Sequence, residues 1–166
     1  MEPIMNELLQ QHRDAEAMLA RLAAGVIRVQ RQGVHGEGVM NELSELRREI
    51  QGEVLRHFRE EEQALFPVLG RHIDSSSGPI AMLMEEHAQF RQLQLEEALA
   101  ALESRHQDGW EEKLCQAGDA IGRLMPAHIE KEESVLFPMA EQMLGEDECA
   151  EVRTLWSHAN AAALTE

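Results

Sequence analysis

The sequence predicts an all-α fold: an up-down-up-down four-helix bundle assembled from two duplicated α-hairpins, with a short fifth helix at the C-terminus. Three observations carry this. Apolar residues recur every three or four positions through four long segments, which is the period of one helix face. Turn-forming clusters separate those segments, and no stretch alternates apolar with polar residues over a strand's length. A long motif also appears twice at a fixed offset, so each half of the chain reads as one helical hairpin.

Helix one spans residues 3–31. Met5, Leu8, His12, Ala15, Leu19, Leu22, Val26 and Val29 form one stripe in steps of three and four. The glycine-rich GVHGEG at 33–38 breaks it. A second seam runs from about Met40 to Leu69 through Leu43, Leu46, Ile50, Val54, His57, Glu61, Ala64 and Val68. IDSSSGP at 73–79 is a turn, and Pro79 suits the first position of the next helix. Helix three covers 79–107 with Ile80, Leu83, His87 and Phe90 facing inward, and Asp108-Gly109 turns the chain again. Helix four, 110–144, places Trp110, Leu114, Ala117, Ile121, Leu124, His128, Glu132, Val135 and Met139 on its seam. Gly145 suits a helix end, and the acidic residues 146–148 suit the start of a last helix reaching about 162. The expected organisation is a bundle over 1–145, with 146–166 packing on the same domain.

Composition narrows the function classes. At 166 residues the chain is one domain by size. Its 15 Lys and Arg stand against 31 Asp and Glu, a net charge of −16. Such a surface repels phosphate backbones and anionic lipid, so neither nucleic acid nor membrane is an expected partner, while cations are natural guests. Two cysteines, Cys115 and Cys149, are too few for a disulfide scaffold or a thiolate zinc site. The first residues lack the basic and apolar regions of a secretory signal, and no apolar run is long enough to span a bilayer; a cytoplasmic location is expected. Aromatics at 4%, with no Tyr, argue against a platform that stacks bases or flavins. Eight histidines remain to be explained.

The repeat places four of them. His57 to Pro67 and His128 to Pro138 share the pattern H-x-x-x-E-E-x-x-L-F-P at an offset of 71 residues. Residues 9–12, ending in His12, match 84–87, ending in His87, more loosely at an offset of 75. In an antiparallel hairpin, residues equidistant from the turn lie level. The midpoint between His12 and the His57/Glu61 pair falls inside 33–38. That between the pair and His87 falls at Ile73, and that between His87 and His128/Glu132 at Asp108-Gly109. Three separate turns therefore put all six residues in one layer.

Residues four apart share a helix face, so each His-x-x-x-Glu presents an imidazole and a carboxylate together. Four His and two Glu, standing where Leu or Val is expected, form a nitrogen and oxygen donor set suited to Fe, Mn or Zn. The absence of thiolate disfavours a closed structural zinc site. If both glutamates bridge two metals, each six-coordinate ion keeps one position for a shared oxo or hydroxo bridge and one for an outside ligand. A single His on an apolar face is more often a hydrogen-bonded core residue. Two buried carboxylates, each with a His one turn away, need partners or a metal. Without metal, at least one of Glu61 and Glu132 should protonate or the bundle loosen, and metal should raise the melting temperature.

The neighbouring residues read more plainly. Glu62 and Glu133 are solvated or support the ligands, and Glu16 is an exposed charge or a supporting partner. The Leu-Phe-Pro tails are core filler with a kink at Pro67 and Pro138, and Pro126 bends helix four. His35, His72, His106 and His158 lie away from the layer, and neither cysteine has a nucleophile's surroundings.

The pattern His12, His57-x-x-x-Glu61, His87, His128-x-x-x-Glu132, with LFP after each pair, resembles the hemerythrin-like, or HHE cation-binding, domain family over about residues 5–145. The resemblance implies a four-helix bundle with a non-heme di-iron centre. Glu61 and Glu132 would bridge two Fe ions, with His12, His57, His87 and His128 as terminal ligands. Members that carry oxygen reversibly have a further His one turn from the helix-three ligand, where this chain has Leu83 and Arg91. They also use H-x-x-x-x-D on helix four. The four-His, two-Glu set is closer to the iron–sulfur cluster repair members, which respond to nitric oxide and oxidative stress.

The expected function is that of a di-iron protein that binds or reacts with a small oxidant or diatomic (O2, NO or peroxide) in sensing, storage or stress defence. An iron donor in iron–sulfur cluster repair is the alternative. A third reading is a helical interaction module with a structural metal, in which the last helix around Leu155 and Trp156 meets a partner or a second copy in a homodimer.

Overall fold

The computed structural model describes residues 2–32, 37–93 and 109–163, which form five helices and, among the described residues, no strand. These are α1, Glu2–Gln32; α2, residues 37–69; α3, Gly78–Gln92; α4, residues 110–143; and α5, Glu146–Ala163. The fold is all-α, as the periodicity requires. No described helix is long and apolar enough to cross a membrane.

Two apolar clusters show how the helices run. One contains Ala15 to Val29 of α1, Leu43 to Phe58 of α2, Phe90 of α3 and Leu114 to Ile129 of α4. The other contains Ile4 to Leu8, Ala64 to Leu69, Ile80 and Leu83, and Leu136 to Leu144 of the same four helices. Along α1 and α3 the chain passes from the second cluster to the first, and along α2 and α4 it passes back. That is the up-down-up-down order. His12, His57, Glu61, His87, His128 and Glu132 interrupt the apolar stripes between the two clusters, so the polar layer is sealed by hydrocarbon on both sides. α5 adds Cys149, Val152 and Trp156 to the second cluster and lies along the C-terminal half of α2.

The short connection between α2 and α3 is held by Asp74, which accepts hydrogen bonds from the Ser76 N–H and from the Ser76 and Ser77 hydroxyls. Gly78 then opens α3 at φ +76°, a conformation glycine adopts without a Cβ clash.

α2 and α4 are not uniform α-helices. Each widens into a π turn beginning at the glutamate of its repeated motif, Glu61–Leu65 and Glu132–Leu136, where the Phe66 and Phe137 N–H groups reach the carbonyls of Glu61 and Glu132. Pro67 and Pro138 come immediately after, and a ring without an N–H is best placed where the ladder is already loosened. A third π turn covers Ile50–Val54.

The widened turns correct the seam of α4. An extra residue rotates the rest of the helix, so Leu136 and Ala140 are fully buried, while Val135 is 42% exposed and Met139 only half-buried. Upstream, Met125 rather than Leu124 takes the inner position. In α2 the whole expected seam is buried, and so are Leu65, Phe66 and Leu69, because α5 covers that helix on a second side. The departure from α geometry in α4 falls at Glu132–Leu136 and not at Pro126, which lies inside an α-helical stretch.

Two helix ends also differ from expectation. α3 stops at Gln92, where Leu93 has ψ 11° and its N–H tightens back onto the Phe90 carbonyl; residues 94–107 of the expected helix lie outside the described residues. Gly145 does not cap α4, which ends on an extended Leu144. It starts α5 instead: its carbonyl accepts the Cys149 N–H at 2.9 Å, and its N–H donates to Glu148 at 3.0 Å, one half of a capping box. His35, His106, Asp108 and the Trp110 side chain lie outside the described residues and side chains.

Candidate metal centre

All six residues singled out by spacing are buried, each at 4% exposure or less. His57, Glu61, His128 and Glu132 bring one donor atom each to within 4.8 Å of one another. His12 and His87 close the ring. The His12 Nε2 lies 3.0 Å from Glu132, and the His87 Nε2 lies 3.2 Å from the His128 Nε2 and 3.5 Å from Glu61. The two helix hairpins thus meet in one cluster of four imidazoles and two carboxylates.

Each imidazole points its Nε2 inward and is held from behind through Nδ1. The His12 Nδ1–H donates to Glu133 at 2.9 Å, and the His87 Nδ1–H to Glu62 at 2.7 Å. The His128 Nδ1–H donates to Glu86 at 3.0 Å, and the His57 Nδ1–H to the Gln11 carbonyl oxygen at 2.7 Å. Carboxylates only accept, and the Gln11 amide is oriented by its own N–H donated to Glu60 at 2.7 Å. The ring proton is therefore placed on Nδ1 and the Nε2 is turned toward the centre, the arrangement that orients a metal-binding histidine.

Cations at the surface back these carboxylates. Arg91 donates to both oxygens of Glu62, Arg13 to Glu133, Lys131 to Glu86 and Arg56 to Glu60. Glu62 and Glu133 are accordingly supports of the imidazoles rather than free surface charges. Glu16 stays exposed, 3.8 Å from Arg13. The Phe of each LFP tail packs on the imidazole of the opposite hairpin: Phe137 on His12 at 5.4 Å and Phe66 on His87 at 5.8 Å between ring centres. Phe58 stacks on the other face of the layer, 3.8 Å from His87.

The layer leaves orphaned atoms. The His57 Nε2, both oxygens of Glu61 and one oxygen of Glu132 are buried without a hydrogen-bond partner. Buried carboxylate oxygens without partners are costly, and their convergence with inward-turned Nε2 atoms fits a bound cation. Electrostatics agree. Burial and the neighbouring Glu132 charge push the Glu61 carboxyl above its usual range. Burial works in the same direction on Glu132, but the hydrogen bond from His12 and the nearby His128 and His57 imidazoles overcome it and hold that carboxyl well below its usual range. Burial would lower the imidazoles, yet Glu132 raises His12, Glu61 and Glu62 raise His87, and Glu132, Glu61 and Glu86 lift His128 to about 9. Without a metal, the cluster favours protons on His12, His87, His128 and Glu61.

The remaining described histidines are elsewhere. His72 bonds Glu148 at 2.7 Å, tying the α2–α3 connection to α5, and His158 is exposed. Sequence reasoning missed Gln11, Glu60 and Glu86. The available signal was position: Gln11 and Glu86 each stand immediately before a layer histidine, at repeat-related sites.

The family model described as Hemerythrin HHE cation binding domain matches residues 4–140 and, in a second match, 78–158. No curated protein and no solved structure shows significant similarity to the chain.

Proposed function

The chain belongs to the hemerythrin HHE cation-binding domain family, whose members bind metal ions, usually iron. On that premise we propose that His12, His57, Glu61, His87, His128 and Glu132 hold two Fe ions. The protein then binds or reacts with a small oxidant or diatomic, O2, NO or peroxide, in sensing, storage or stress defence. The observation that carries this is the four Nε2 atoms, each turned inward by a hydrogen bond at Nδ1, facing two carboxylates with unpartnered oxygens.

Bound iron supplies a redox couple and coordination positions that six side chains for two ions do not fill, whereas Mn or Zn would satisfy the same donors. The protein's own part is positional. Glu61 of one hairpin and Glu132 of the other converge on the same layer, where both would be carboxylate ligands of the bound metal. Glu62, Glu86, Glu133 and Gln11 hold the imidazoles against rotation, and Phe58, Phe66 and Phe137 keep bulk water from the layer. Glu61, His12, His87 and His128 would give up protons as metal enters, so binding would exchange protons for cations.

The test is metal content of protein purified from iron-supplied cells, followed by optical titration with O2, NO and peroxide. Two irons per chain and a spectral change with one of these ligands are expected. A folded protein that retains no metal would overturn the assignment, and a loaded protein silent toward all three would leave a structural metal.

A further inference from the structure

The support around the layer keeps to the internal repeat except at one point. Glu133 behind His12 corresponds to Glu62 behind His87, at the 71-residue offset. Gln11 behind His57 corresponds to Glu86 behind His128, at the 75-residue offset. Three imidazoles therefore lean on carboxylates and the fourth on a neutral amide. The next residues out diverge together: Glu86 meets Lys131, and Gln11 meets the fully buried Glu60, which occupies the repeat position of Lys131.

A hydrogen bond to a carboxylate is roughly twice as strong as one to a neutral acceptor and makes the imidazole a better donor. His57 is thus the weakest of the four donors. It also stands at an opening. A surface crevice between α1 and α2 reaches the buried Gln11, His12 and His57, with Met125 beside them and the exposed Asp14 and Glu53 among its lining. The Nε2 of His57 is the imidazole nitrogen of the layer left without a partner.

We propose that Gln11 is a positioning residue that makes the His57 edge the labile side of the centre, where a divalent cation is loaded and released through the crevice. This rests on the metal assignment above. The amide holds the ring in place without strengthening its grip, while the exposed Asp14 of the lining and the protein's net charge of −16 draw cations toward it, Glu53 being paired with Arg56.

The test exchanges the two groups. Gln11→Glu with Glu60→Gln keeps net charge, side-chain size and the number of hydrogen bonds, and moves the carboxylate onto His57. Each protein is loaded anaerobically with ferrous iron, and its transfer to bipyridyl is timed. The exchange should slow release of the faster iron about tenfold, the effect typical of a partner behind a metal-bound histidine, and shift the midpoint potential to more negative values. Glu86→Gln, which puts an amide behind His128, should hasten release by a similar factor and keeps the idea testable should the double variant fail to fold. If wild-type protein binds no iron, the metal assignment itself falls. If all three proteins bind two irons and release them at the same rate and potential, only this inference falls.

Discussion

Glu61→Gln should make the metal-free protein more stable and the metal-loaded protein less so. In the absence of metal the Glu61 side chain is fully buried, both its oxygens lack partners, and burial and Glu132 disfavour its charged form. Glutamine has the same shape, carries no ionisable group and brings an N–H that can serve the unpartnered oxygen of Glu132. Relieving a buried unsatisfied polar group is worth about 1–3 kcal/mol. For a chain of this size that raises Tm by about 2–12 °C. Metal reverses the order. At a free concentration a hundred times Kd, binding adds about 2.7 kcal/mol to the wild type, roughly 5–11 °C in Tm, and the variant forfeits most of it. The assay is calorimetry of both proteins, first with chelator and then with ferrous iron under anaerobic conditions. A metal-free variant that melts below the wild type, or one that gains as much from iron, would refute the reasoning that Glu61 is kept for metal at the expense of the empty fold.

The same geometry sets three further outcomes. Phe58→Ala removes a ring that is 1% exposed and stacked on His87, so it should cost about 3–5 kcal/mol and lower Tm by roughly 6–20 °C; a loss under about 1 kcal/mol in denaturant titration would count against that packing. Metal addition should release protons, because His12, His87, His128 and Glu61 are all biased toward their protonated forms, and affinity should strengthen as pH rises toward about 9. The sign for the metal-free fold is opposite: His128, raised from 6.5 to about 9, contributes stability that is fully present below 6.5 and lost as pH rises through 9. A pH-stat titration and a series of metal-free melts check both directions. Finally, Gly122→Ala should stabilise by about 0.4–1 kcal/mol, since a Cβ there meets nothing within 4 Å. Gly118→Ala should not, because its Cβ would lie 2.9 Å from Val26 across the α1–α4 contact.

The layer itself was legible in one dimension. His57 and Glu61 share a face because four residues make about one turn, and the turns at 33–38, 73–79 and 108–109 set which residues lie level. Those relations need only period and chain length, so the sequence alone places the six side chains together. The same period misleads past Glu132, where the widened turn passes the inner face from Val135 to Leu136. The pairing of Glu and Pro in the repeated motif marks that spot, but a helical period cannot say whether the ladder bends or widens there.

Composition and spacing determined an all-helical, strongly acidic chain with a duplicated nitrogen and oxygen donor set and no thiolate. Tertiary structure decided what stands behind each donor. Glu133 reaches His12 across 121 residues, Glu86 reaches His128 across 42 and Gln11 reaches His57 across 46. Such contacts depend on the rotation of one helix against its neighbour, and an outward-facing Gln11 would look the same in the sequence. The burial of Glu60 is of this kind too: in a run of three glutamates, only the packing of α1 against α2 selects which one is enclosed with Gln11, and only the packing of α3 against α2 selects which one supports His87. Local periodicity places the donors; the way helices lie against one another sets how firmly each is held.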